Sequence, residues 1–305
     1  MKAAHRLGVC AVVVTYHPDD TVDQNVRAIA RQCDSVFIVD NGSPSDTLEP
    51  IHRLAKAVAN ISLIINEENL GIAEALNIGI RHARATGSPQ WIATFDQDST
   101  PTDGMIEAML SAVGIESGRS SVAIIAPSHI DRSSGARLEP RSVDSHKGFR
   151  EVTSTLTSGN LVNVEALDRV GLFDASLFID YVDHEFCLRC RSQGYTIVEV
   201  ESAKLLHSLG EFRSSKVLGM TINASHHNPL RRYYITRNRL IVWKKYLSSE
   251  TRWVARDIVN AIKETIKIIF VESDRRQKLK SIVEGTRDAC YGRLGRKLQA
   301  DQKHR

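Results

Sequence analysis

A chain of 305 residues, 42% of them apolar, suits one large domain or one and a half with a sizeable core. Forty basic against 36 acidic side chains leave a formal charge of +4, which excludes the strongly basic signature of a nucleic-acid binder. Five scattered cysteines (Cys10, Cys33, Cys187, Cys190 and Cys290) form no paired framework, and the lone C-x-x-C at 187–190 lies in a helical stretch; a reducing cytoplasm is the expected setting.

In chain order, Val9–Val14 is an apolar run too short for a signal peptide and lacks a cleavage site. It reads as a first strand, followed by a polar helical stretch near 23–31. Residues 35–39 form a second strand, ending in the turn sequence Asp40-Asn41-Gly42-Ser43. A helix is predicted over about 47–59 and a strand over 61–65. Apolar residues at 72, 73, 76, 80 and 83 then predict a helix within 71–86. A strand at 91–95, a helix near 105–113 and a strand at 122–126 complete the alternation. Residues 131–150 read as a loop, 183–193 as a short helix, 195–200 as a strand, and everything from Pro229 onward as amphipathic helix. Short buried strands alternating with helices predict an α/β class, a mostly parallel Rossmann-like sheet with helices on both faces and a C-terminal helical extension. The domain cut is expected at 1–227 and 228–305. No 18-residue uncharged stretch predicts a membrane-spanning helix.

Ligands in such sheets bind beyond the carboxyl ends of the strands, and the polar clusters Thr15-Tyr16, Asp40-Asn41, Asn66–Asn69 and Asp96–Asp98 all fall there. Asp96 and Asp98 flank Gln97, so as i and i+2 of a strand end their carboxylates leave on the same side. Two like charges held close call for a counter-ion. A hard divalent cation with positions open to phosphate oxygens fits, and hard oxygen ligands favour Mg2+ or Mn2+. A carboxylate at Asp40 can accept from the imide N–H of uracil or thymine, with Thr15 and Tyr16 lining the base; an Asx-turn acid is the structural alternative. Asn69, Gly71 and Ala73 lead into a helix N-terminus able to hold anionic or ribose oxygens, or form a plain Asn N-cap. Asn77 reads as structural.

The ordered set Val-Val-Val-Thr-Tyr (12–16), Val-Asp-Asn-Gly-Ser (39–43), Asn69-x-Gly71-Ile72-Ala73-x-x-x-Asn77, Phe-Asp-Gln-Asp-Ser (95–99) and Asp-Tyr-Val-Asp-His-Glu-Phe-Cys-Leu-Arg (180–189) resembles family-2 glycosyltransferases of the GT-A fold. It looks most like bacterial rhamnosyltransferases that build cell-surface polysaccharides such as O-antigen. The resemblance implies an inverting hexosyl transfer, best matched by L-rhamnose moving from dTDP-rhamnose, or another sugar from a UDP or dTDP donor, to a hydroxyl of a glycan, lipid-linked or free. It gives Asp40 the base-reading role, Asp98 the metal and diphosphate, Asp96 the ribose or metal, and His207 a further metal or diphosphate contact, with His226 and His227 as weaker candidates. The catalytic base maps onto Asp183, because the family's Glu-Asp-x-Asp reads Val182-Asp183-His184-Glu185 here; inversion needs such a base opposite the leaving group. As alternatives, Asp183 caps its helix together with Asp180, and Glu185 pairs with Arg189 at i+4.

Arg232 and Arg237, beside Tyr234 and Asn238 on one helix, are expected to neutralise the diphosphate or to form a solvated basic face. Residues 158–160 are expected to shape the acceptor floor. The helix around 253–271 has apolar residues on one side and lysines and arginines elsewhere, suiting a membrane surface, or packing on its own domain or on a second subunit of a homodimer. Two rival readings are a nucleotidyltransferase, which lacks its Gly-rich phosphate loop after the first strand, and a non-catalytic nucleotide-sugar binding protein, which would tolerate loss of Asp183.

Overall fold

Valines at 9, 12, 13 and 14 favour an extended backbone, and the first strand, β1 (Val9–Thr15), is buried along its whole length. The computed structural model describes residues 7–114, 121–132, 134–137, 148–207, 212–217, 220–225 and 228–297. After β1 come α1 (Thr21–Ala30), β2 (Ser35–Asp40), α2 (Glu49–Ala57), β3 (Ile61–Ile65), α3 (Ile72–Thr86) and β4 (Trp91–Asp96). The chain continues through β5 (Thr100–Pro101), α4 (Met105–Gly114), β6 (Val122–Asp131), β7 (Phe149–Glu151), β8 (Leu161–Asn163), α5 (Val164–Val170), α6 (Val182–Ser192) and β9 (Thr196–His207). It ends in the hairpin β10 (Phe212–Val217) and β11 (Met220–Ser225), then α7 (Pro229–Tyr246), α8 (Thr251–Phe270) and α9 (Arg275–Cys290).

Among the described residues the main sheet runs β3-β2-β1-β4-β8-β6-β9-β5, with β7 also on β9. Its first four strands are parallel neighbours, as the alternation of strands and helices predicts. The second half is mixed: β8 runs antiparallel to both β4 and β6, and β5 and β7 run antiparallel to β9. These are strands of two or three residues, too short for a periodic signal in the sequence.

Alternation along the strands sorts the core into two layers. Val9, Ala11, Val13, Val36 and Ile38 join Val22, Val26 and Ile29 of α1, Ile51 and Leu54 of α2, and Met105, Ile106 and Met109 of α4. The opposite face takes α3, which lies so close that a Cβ at Gly79 would stand 2.3 Å from Val12 Cγ1 and 3.1 Å from Val39 Cγ2.

Packing divides the chain into two units, Met1–Phe173 with Phe186–Ser208, and Asp174–Glu185 with Leu209–Arg305. The cut differs from the expected 227/228 boundary, because residues 174–185 belong with the C-terminal helices. Asn238 Nδ2 donates to the carbonyls of Leu177, Ile179 and Asp180 at 2.9, 2.8 and 2.9 Å, and Tyr181 OH donates to Asp257 Oδ2 at 2.8 Å. Periodicity carries no trace of hydrogen bonds spanning about sixty residues.

Candidate active site

The end of β4 supplies Asp96, and the turn after it supplies Gln97, Asp98 and Ser99. Two residues of β5 then pair with β9, Thr100 opposite Leu206 and Pro101 opposite Leu205. That short ladder sets His207, the last residue of β9, beside the acidic turn. Ligand atoms of Asp96, Asp98 and His207 all lie within 4.8 Å of one another. The imidazole Nδ1 is 3.5 Å from Asp98 Oδ1 and 3.4 Å from Ser99 Oγ. The sequence reading thus named three residues that the fold brings together, one of them more than 100 positions away from the others.

A buried scaffold orients this cluster. Asp96 N–H donates to Ser158 Oγ at 3.0 Å, and Ser158 Oγ donates to Ser99 Oγ at 2.8 Å. Ser158 and Asn160 are buried, and the peptide ties Gly159 N–H to Thr94 O at 2.6 Å and Thr94 N–H to Asn160 O at 3.0 Å. Residues 158–160 therefore brace the acidic turn from beneath; the expected acceptor floor is not what they form. His129 Nε2 lies 2.8 Å from Ser158 O, and burial pushes that imidazole down to about 4, so at neutral pH it is an uncharged prop. Gln97 and Asp98 lie in the turn beyond the strand rather than continuing its alternation, and Gln97 is tied to the neighbouring segments. Its Oε1 accepts from Tyr16 N–H at 2.8 Å and its carbonyl accepts from Asn25 Nδ2 at 2.8 Å, linking the ends of β1 and β4. Arg132 Nη2 donates to Asp98 O at 3.3 Å and also contacts Thr100 Oγ1, which in turn contacts Asn25 Oδ1. Asn25 and Arg132 are not among the expected site residues and carry no local signal, whereas Ser99 ends the motif at 95–99 and Ser158 was expected in a different role, at the acceptor floor.

The neighbouring strand ends form the second wall. Asp40 has no exposed surface. Its Oδ1 accepts from Ser43 N–H at 2.8 Å, and Oδ2 accepts from Ser43 Oγ at 2.7 Å and from Thr15 Oγ1 at 3.0 Å. The Asx-turn alternative is thus realised, and the carboxylate holds Thr15 and the turn in place. Tyr16, by contrast, presents a ring that is 45% exposed. Gly42 adopts φ +82°, where a Cβ would lie 2.4 Å from the carbonyl carbon of Glu68, so this turn seats directly against the loop after β3. Asn41 Oδ1 accepts from Leu70 N–H at 3.0 Å and from Asn66 Nδ2 at 3.2 Å, while Asn41 Nδ2 donates to Asn69 Oδ1 at 3.1 Å. Asn69 Oδ1 also accepts from Gly71 N–H at 2.9 Å, and Gly71, at φ +85°, is the N-cap of α3 without a side-chain cap. Asn69 is therefore not the cap itself; it holds the cap residue, leaving Ala73 buried in the first turn. Asn77 is structural as expected, exchanging hydrogen bonds with both backbone groups of Phe173 at 2.9 and 3.0 Å.

In the other unit Asp183 lies in the first turn of α6, half-buried, with Oδ1 accepting from His184 N–H at 2.8 Å. The approach to it is strained: Phe178, Asp180 and Tyr181 have φ values of +67°, +63° and +65°. Asp180 is not a helix cap here. Its Oδ1 accepts from Arg231 Nε at 3.0 Å, and burial raises its carboxyl against the opposing pull of that guanidinium.

Two further expectations are corrected. Arg237 is 1% exposed and donates to Gly295 O at 2.7 Å, Leu177 O at 3.0 Å and Asn238 Oδ1 at 2.9 Å, with its guanidinium against Tyr233 and Tyr234. Arg232 is buried between Glu264 at 3.2 Å and Glu272 at 3.1 Å. Neither cation forms a solvated face: Arg232 ties α7 to Glu264 of α8 and to Glu272 beyond it, and Arg237 ties α7 to Leu177 and Gly295. Glu185 is buried and accepts from Lys245 Nζ at 2.7 Å and Tyr246 OH at 2.8 Å, and Arg189 donates to the carbonyls of Val170 and Leu172. His226 and His227 lie outside the described residues.

The comparisons with known proteins agree with this architecture. The family model described as "Glycosyl transferase family 2" matches residues 10–160. The dTDP-rhamnosyl transferase RfbF of Shigella flexneri is 30% identical over 300 residues, covering 94% of this chain and 97% of its own. Among solved structures, S. aureus TarS 1–349 in complex with UDP-GlcNAc superposes with a TM-score of 0.62 at 12% identity, over 92% of this chain and 81% of that one. The mannosyltransferase PcManGT from Pyrobaculum calidifontis, in complex with GDP-Man and Mn2+, gives 0.58 at 14% identity, over 94% and 88%. Their shared architecture is the GT-A fold.

Proposed function

From the premise that this chain belongs to glycosyl transferase family 2, we propose that it is an inverting rhamnosyltransferase, moving L-rhamnose from dTDP-rhamnose to a hydroxyl of a growing surface glycan. The observation that carries the reading is the convergence of Asp96, Asp98 and His207 at the carboxyl end of β4. The likeness to a dTDP-rhamnosyl transferase across 97% of that protein supports the choice of donor. Two carboxylates and one imidazole within 4.8 Å fit Mg2+ or Mn2+, with Asp96, Asp98 and His207 as the holding residues. Such an ion, when bound, supplies positive charge to the diphosphate as it departs.

The chain's own residues do the rest. The exposed Tyr16 ring offers a stacking platform for the thymine or uracil, with Thr15 held beneath it by Asp40. The uncapped first turn of α3, reached through Asn69 and Gly71, offers N–H groups to ribose or phosphate oxygens beside Ala73. Asp183 takes the proton from the acceptor hydroxyl as that oxygen attacks the anomeric carbon. One carboxylate oxygen is fixed by His184 N–H, and the other has no hydrogen bond among the described residues. The site is proposed to work on the cytoplasmic side, where nucleotide-sugars are made.

The test is release of dTDP from dTDP-rhamnose in the presence of acceptor, with dTDP-glucose and UDP-GlcNAc as rivals. Asp183→Asn should lower kcat by about 10²-fold or more while donor affinity stays within about twofold. Asp98→Asn should lose both turnover and metal-dependent nucleotide binding. Full activity in Asp183→Asn removes that residue from the mechanism, and equal turnover of all three donors removes the rhamnosyl assignment.

A further inference from the structure

Helix α8 packs on its own unit with Trp253, Val254 and Ile268, which are buried. With about 100° between successive residues, that inward face also takes Asp257 and Glu264. Asp257 accepts from Trp243 Nε1 and Tyr181 OH, both at 2.8 Å, and Glu264 receives Arg232 and Arg239 at 3.2 Å. Both acids of α8 are therefore neutralised internally. What is left outside is unlike the rest of the surface. Ile258, Val259, Ile262, Ile266, Ile269 and Phe270 form one arc of roughly 120°, with Ile262 55% and Phe270 72% exposed. Ile258, Ile262 and Ile266 also line a groove of about 320 Å³ with Trp243, Ala261 and Thr265. Directly beside the arc, on one flank, stand Arg252, Arg256, Lys263 and Lys267, all exposed and without an acidic partner among the described residues.

We propose that this face of α8 lies in the plane of a membrane bearing anionic phospholipid, with the isoleucine arc below the headgroups and the four cations on the phosphates. Charge complementarity selects this occupant. An antiparallel second copy on the same patch would bring four uncompensated cations beside four and a parallel one would leave both sets without counter-charge, whereas a lipid surface supplies an anion to each. A helix of 20 residues, about 30 Å long, with its cations confined to one flank has the make-up of an interfacial segment. No described helix is long and apolar enough to cross a membrane. This inference stands apart from which sugar is transferred, and its test uses no substrate.

The experiment is co-sedimentation of the full chain with vesicles of phosphatidylcholine alone or with phosphatidylglycerol, beside light scattering to fix the oligomeric state. The wild type should pellet with the anionic vesicles, less so as salt rises. Lys263→Glu with Lys267→Glu should weaken partitioning by at least about fivefold per cation and flatten the salt dependence. Ile262→Asp with Ile266→Asp should weaken it by about tenfold or more with an unchanged melting midpoint, since both side chains are exposed. A wild type that stays in the supernatant with anionic vesicles overturns the proposal. So does a dimer that Ile262→Asp with Ile266→Asp dissociates, because the face is then covered by a second copy.

Discussion

Ser158→Ala removes one oxygen from beneath the acidic turn, and the structure sets its cost in two separable currencies. The hydroxyl accepts Asp96 N–H at 3.0 Å and donates to Ser99 Oγ at 2.8 Å in a buried place. Methyl in its place leaves the Asp96 N–H without that partner, a loss of about 1–3 kcal/mol. For a chain of this size that lowers the melting midpoint by about 2–4 °C per kcal/mol. The same change loosens Asp96 and Ser99 next to the carboxylates, and losing such an outer support lowers metal affinity by about 10–100-fold. Mn2+ titration by calorimetry in the presence of dTDP, at a temperature where the variant is fully folded, separates the two. Gly79→Ala is the control, since it destabilises the contact of α3 with Val12 and Val39 without removing any hydrogen bond of the acidic turn. The expected pattern is weakened Mn2+ binding in Ser158→Ala and wild-type binding in Gly79→Ala. Wild-type Mn2+ affinity in both, with comparable thermal losses, would refute the reasoning that Ser158 sets the geometry of the cluster.

Gly79→Ala itself places a Cβ 2.3 Å from Val12 Cγ1, an overpacking worth about 1–3 kcal/mol against the 0.5–1 kcal/mol that alanine gains in a helix. Chemical denaturation should show a net loss of about 1–2 kcal/mol without a change in slope. His129, held down to about 4 by burial, binds fewer protons folded than unfolded between that value and the ordinary histidine range near 6.5. Its stabilisation is complete above about pH 6.5 and is lost as pH falls toward 4, by up to about 3 kcal/mol. Urea midpoints across that window should fall in the wild type and fall less steeply in His129→Gln.

Local patterns foretold what local forces decide. The valine run, the turn at Asp40–Ser43 and the 3.6-residue spacing before Thr86 each appeared where expected, because strand propensity, turn chemistry and amphipathicity are properties of neighbouring residues. The acidic pair was legible for the same reason. His207 was reachable by resemblance, but its approach to Asp98 depends on two residues of β5 that no pattern announces. Arg232 and Arg237 misled because an arginine's character comes from its surroundings, which here are carboxylates, carbonyls and tyrosine rings contributed by distant segments. Asp40 was expected to read a base, and its lone pairs are directed to Thr15 and Ser43, an arrangement that only the register of β1 on β2 reveals.

The single amide of Asn238 grips three carbonyls in a row, at Leu177, Ile179 and Asp180, just ahead of Asp183. A stretch with three left-handed non-glycine residues does not keep its shape unaided, so its conformation is on loan from α7. Fragments that stop after the family-defining first 160 residues would omit both the loop and its clamp. Chimeras exchanging the terminal helices between relatives would likewise change the support of the loop that leads into Asp183, tying the shape of that loop to the tail.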